Sequence, residues 1–73
     1  MTGFLPSLTS KDMLRALQKA GFSIHHQSGS HIILRNGDKR VTLPMHNVDL
    51  HKGIIKSILN QAGMTAETLK ELL

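Results

Sequence analysis

Residues 22–43 read Phe22-Ser23-Ile24-His25-His26-Gln27-Ser28-Gly29-Ser30-His31-Ile32-Ile33-Leu34-Arg35-Asn36-Gly37-Asp38-Lys39-Arg40-Val41-Thr42-Leu43, and this stretch decides the fold class. Phe22, Ile24 and His26 alternate with Ser23, His25 and Gln27, and residues 40–43 alternate again. A period of two is the mark of a half-buried strand. Between these runs, residues 31–35 are rich in β-branched side chains. Ser28-Gly29-Ser30 is a turn cluster, and Asn36-Gly37 is the strongest short hairpin signal in the chain. Pro44 ends the third run, because proline cannot donate to a ladder. Three short strands joined by tight turns make an antiparallel meander, one face toward helices and the other toward water.

The period changes to helical on both sides. Upstream, Thr9-Ser10-Lys11-Asp12 reads as a capping box, with the Thr9 hydroxyl accepting an orphan amide and Asp12 in the first turn. Met13, Leu14, Leu17 and Ala20 then recur at helical spacing, and Gly21 closes the helix. Downstream, helical spacing returns from Leu50. Ile54, Ile55, Ile58, Leu59 and Ala62 form one stripe, with Lys52, Lys56, Asn60 and Gln61 opposite. Gly63 ends it, and Thr65 caps a short terminal helix carrying Leu69, Leu72 and Leu73. The order α-β-β-β-α predicts an α+β domain with a three-stranded antiparallel sheet, helices on one face and a short extra C-terminal helix. This is the architecture of the double-stranded-RNA-binding domain, which reads shape, 2′-hydroxyls and phosphates with little need of aromatics.

A chain of 73 residues makes one domain, burying roughly 60% of the surface its unfolded form exposes. Residues 1–8 lack periodicity and read as a flexible leader, leaving 9–73 as the domain. Nine Lys and Arg face five Asp and Glu, a net charge of +4, which favours an anionic partner, nucleic acid first. With Phe4 and Phe22 the only aromatics, base stacking on an aromatic platform is excluded. The absence of cysteine removes disulfides, thiolate metal sites and a cysteine nucleophile, and fits a reducing compartment. No apolar run is long enough to span a membrane, and the N-terminus lacks the pattern of a signal peptide. A cytoplasmic location follows as the expectation.

His31 is the residue whose chemistry matters most. By parity it shares a face with Ile33 and Arg35, opposite Ile32 and Leu34; a charged Arg35 prefers the wet face, so His31 is expected to meet solvent. Histidine's ordinary pKa of about 6.5 lets it take and give a proton near neutrality. RNA carries its own nucleophile, the 2′-hydroxyl, and one placed imidazole can deprotonate it or protonate the leaving 5′-oxygen. The plain alternative is an exposed strand histidine without a role. His46, in the loop after the third strand, and Ser30 are candidates to assist. Lys52, in the first turn of the second helix where free amides already favour a phosphate, joins Lys56, Lys39 and Arg40 as candidate RNA-binding cations. Gly53 beside Lys52 leaves room for a close backbone approach. His25 and His26 read as ordinary strand residues. The carboxylates are scattered and no ligand set converges, so neither a metal nor another cofactor is expected.

The elements Gly21-Phe22, Gly29-Ser30-His31, Val41-Thr42-Leu43-Pro44-Met45-His46 and Leu50-His51-Lys52-Gly53-Ile54-Ile55-Lys56-Ser57-Ile58-Leu59 together resemble the HicA toxins of bacterial type II toxin–antitoxin pairs, over about residues 10–73. The resemblance implies a double-stranded-RNA-binding-like fold and cleavage of mRNA, with the histidine of Gly-Ser-His, here His31, as the catalytic group. It also implies a HicB-type antitoxin that covers the active-site face. The leader and Thr68, where relatives carry an aromatic, depart from the family's pattern, and neither touches the expected site. The expected function is therefore a metal-independent endoribonuclease toxin. The alternative is a non-catalytic double-stranded-RNA-binding module, which needs the same basic face but no special histidine.

Overall fold

The computed structural model describes residues 8–45 and 49–73. In chain order the elements are β1 (Leu8–Thr9), α1 (Ser10–Lys19), β2 (Ser23–Ser28), β3 (His31–Asn36), β4 (Lys39–Pro44), β5 (Asp49–Leu50), α2 (Lys52–Ala62) and α3 (Ala66–Leu72). The three long strands form one antiparallel sheet in the order β2-β3-β4, as their alternation predicts. Two features go beyond the sequence reading. Leu8 belongs to the fold and not to a leader: it is buried and pairs with Leu50 in a separate two-stranded ladder, β1 with β5. Leu50 is accordingly a strand residue, and α2 starts at Lys52 behind His51.

The capping box forms as read. The Asp12 amide donates to Thr9 Oγ1, and the Thr9 amide donates to Asp12 Oδ2, each at 3.2 Å. The Thr9 amide first, and the Thr9 hydroxyl second, hold the Asp12 carboxyl below its ordinary value of 3.8. A carboxyl lowered by folding stabilises the folded chain above its unfolded pKa and stops doing so as pH falls through the lower, folded value. Thr9→Ala, which removes the hydroxyl and keeps the amide, is therefore expected to cost about 1 kcal/mol at neutral pH and to weaken only part of the dependence of stability on pH below about pH 4; urea titrations between pH 2 and 7 measure both effects.

Inside the sheet, core matching sets the register. Leu34 pairs with Val41 and Ile32 with Leu43, all four buried on the helix side. The two loop residues of this hairpin are Gly37 and Asp38, one step later than the Asn36-Gly37 signal suggests. Centring the loop on Asn36-Gly37 would slip the ladder by two residues, keeping each side chain on its face but setting Leu34 opposite Lys39 and Leu43 opposite Ser30, so that apolar pairs across the buried face are lost. The core wins over the turn preference. The β2–β3 ladder, by contrast, shifts register between Ile24 and His26, so His25 is the extra residue of a bulge. The strict alternation expected through residues 22–27 stops there: His26 pairs with Ile33 on the outer face.

Met13, Ala16 and Leu17 of α1 and Ile55, Ile58, Leu59 and Ala62 of α2 close over the inner sheet face with Phe22. The Gln61 side chain accepts a hydrogen bond from the Thr42 amide at 2.9 Å, so α2 also covers the outer edge of β4. All six residues of β2 are exposed, including Ile24 at 46%. At the C-terminus Thr65 caps α3 by accepting from the Thr68 amide, and Leu69 is fully buried. Leu73, grouped with the apolar stripe in the sequence, is instead 46% exposed.

Candidate functional site

Among the described residues no helix covers the outer face of the sheet. This face carries His31, Ile33 and Arg35 from β3, Arg40, Thr42 and Pro44 from β4, and Ser23, His26 and Ser28 from β2. Ile33 and Pro44 are half-buried and the others exposed. His31 opens β3 directly after the turn at Gly29, whose φ of +57° suits a residue without a Cβ. It stands between Ser28 and Pro44 of the neighbouring strands. The side chain is exposed, on the wet face that parity predicts.

Two hydrogen bonds organise this end of the sheet. The Met45 amide donates to the Ser30 carbonyl. The Ser10 hydroxyl, buried at the start of α1, donates to the Pro44 carbonyl at 2.7 Å. The residues flanking His31 in sequence and across the ladder are thus tied to the first turn of α1. Ser10 was legible only as a first-turn helix residue, since its partner lies 34 residues away. Ser30 is half-buried beside His31. His46 lies outside the described residues.

The four cations expected to form one RNA-binding patch are separated. Arg40 is on the outer face, directly opposite Arg35. Lys39 points the other way: its Cε lies 2.7 Å from where a Cβ on Gly63 would be, at the C-terminal end of α2. That end of a helix carries negative partial charge and attracts a cation, so Lys39 serves the fold and is absent from the face. Adjacent strand residues point to opposite faces, which is why Lys39 and Arg40 cannot act side by side. Lys52 and Lys56 are exposed on α2. Because α2 runs back along β4, with Gln61 at Thr42 and Gly63 at Lys39, its N-terminus and Lys52 lie toward the His31 end of the sheet. Gly53 is exposed; a Cβ there would meet the His51 ring at 3.4 Å, an ordinary contact. The position does not require glycine for packing.

Among the described residues no three histidine, aspartate or glutamate side chains come together as metal ligands. No described helix is long and apolar enough to cross a membrane.

Fold and site together define a small basic α+β domain with an open sheet face that presents two histidines and two arginines. The family model for the HicA toxin of bacterial toxin–antitoxin systems matches residues 10–64, and the chain belongs to that family. The matched segment contains Gly29-Ser30-His31 and all three long strands. Membership makes the chain a toxin by class and implies an antitoxin as partner. No curated protein matches it.

Proposed function

We propose that this chain is an mRNA-cleaving endoribonuclease of the bacterial cytoplasm, the toxin of a type II pair, and that His31 moves the proton in a reaction needing no metal ion. The observation that carries the reading is an exposed imidazole at the rim of an uncovered sheet face, in a chain of the HicA family. The ribose 2′-oxygen attacks the adjacent phosphorus and the bond to the 5′-oxygen breaks. His31 accepts the 2′-hydroxyl proton as base, or gives a proton to the leaving 5′-oxygen as acid. The products are a 2′,3′-cyclic phosphate and a 5′-hydroxyl. Ser30, next to His31 in the chain, and His46 are the candidates to assist, while Lys52 and Lys56 on α2 and Arg40 on the sheet would hold phosphates.

A HicB-type antitoxin would act by covering this face. Half-buried Ile33 lies midway between His31 and Arg35, which suits an apolar contact rimmed by carboxylates. Purified chain incubated with RNA is expected to cut it equally well with and without EDTA and to leave cyclic phosphate ends. Loss of cutting in EDTA, or 3′-hydroxyl ends, would overturn the metal-free mechanism. Absence of any cutting would overturn the enzyme.

A further inference from the structure

The proposed acid–base step at His31 gives no role to Arg35, which stands across the ladder from Arg40. Like charges directly opposite in a ladder are destabilising, yet these two guanidinium side chains face each other on the outer surface. The core imposes the juxtaposition: pairing Leu34 with Val41 and Ile32 with Leu43 leaves Arg35 opposite Arg40 and places Asp38 in the loop. Both side chains are exposed, and neither has an ion-pair partner among the described residues. Two arginines at paired positions on one exposed face bring two planar guanidinium forks within reach of a single phosphate, which such groups bind bidentately.

The position along β3 says which phosphate. Arg35 is four residues from His31 on the same strand and the same face, roughly 13 Å at about 3.3 Å per residue. That is too far for one phosphate to touch both groups. We propose that Arg35 and Arg40 clamp the RNA backbone at a phosphate flanking the one that is cut, so that the strand lies along β3 from His31 toward the Gly37 turn. The inference rests on the nuclease reading for its direction and adds Arg35, a residue without an assigned role, while Lys39 drops out. The clamp binds backbone and not bases, because among the described residues the face carries no Phe, Tyr or Trp on which a base could stack beside the two arginines. Its contribution is to substrate affinity and leaves the chemical step alone.

The test is a double substitution, Arg35→Gln with Arg40→Gln, which keeps hydrogen-bonding capacity on an exposed face and removes both charges. Binding of a short single-stranded RNA is measured by fluorescence anisotropy across a salt series in the His31→Ala background, where the strand survives. Affinity is expected to fall about tenfold at low salt, with the dependence of log K on log salt shallower by about 0.7 for each phosphate released. In the chain retaining His31, KM is expected to rise about tenfold with kcat within about twofold. Unchanged affinity and slope overturn the clamp, as does an absence of RNA binding by the His31→Ala chain itself. Unmoved RNA affinity with a weakened hold on a co-expressed antitoxin would reassign the pair to partner binding and overturn it too. The two readings separate cleanly: a chain that cuts RNA regardless of the double substitution keeps the nuclease and loses the clamp. A chain that binds RNA through the arginines and never cuts keeps the clamp and loses the nuclease.

Discussion

His31→Ala is expected to lower RNA cleavage by about 10²–10⁴-fold, the range that general acid–base help supplies, and to leave the fold standing. The side chain is exposed at the first position of β3, and the core residues nearest in sequence, Ile32 and Leu34, point to the opposite face. A surface substitution of this kind changes stability by about 0.5 kcal/mol or less. Activity and stability should therefore part company: thermal unfolding close to native, product formation almost gone. A gel-based cleavage assay and a melting curve on the same preparation check both halves. Expression of the native chain alone is expected to arrest growth, and expression of the variant alone to leave growth unaffected. A variant that still cuts and still arrests growth removes His31 from the mechanism, and the search would then turn to His46.

Leu69→Ala is the second large effect, and here stability moves. The residue lies beyond the segment matched by the family model, on a helix of seven residues, yet it is fully buried. α3 docks on α1, where the Lys19 ammonium donates to the Leu72 carbonyl at 3.2 Å. Truncating a buried leucine costs about 2–5 kcal/mol through lost transfer energy and the cavity left behind. Small domains hold only about 0.05–0.15 kcal/mol per residue, so one such loss consumes a large part of the total. Urea denaturation should show the midpoint falling sharply, with much of the chain unfolded at 37 °C. A shift below about 1 kcal/mol would mean that α3 is an accessory and that the core closes without it.

Much of the fold was legible because its signals are local. The Thr9 and Asp12 box, the apolar stripe of α2 and the stop at Gly63 each depend on residues within a turn or two of one another. The strands were legible from alternation, and the outward direction of His31 follows from parity with Arg35. Other features resisted for the opposite reason. The β1–β5 ladder joins Leu8 to Leu50 across 42 residues using two-residue strands too short to show a period. The bulge at His25 breaks alternation through pairing with β3, which residues 22–27 do not encode by themselves.

The candidate site divides along the same line. Residue types and parity sufficed for His31 on a wet, basic face, because the direction of a strand side chain is a property of the strand. Which cations share that face was a tertiary matter. Lys39 and Arg40 are neighbours in sequence and lie on opposite sides of the sheet, while Arg35 and Arg40 are five apart and stand face to face. The chain by itself determined the element order, the helix caps and the orientation of the histidine. Register, set by Leu34 on Val41 and Ile32 on Leu43 against the local preference of Asn36-Gly37, decided the charge pattern of the face, because burying apolar surface outweighs both a turn preference and the repulsion of two exposed arginines.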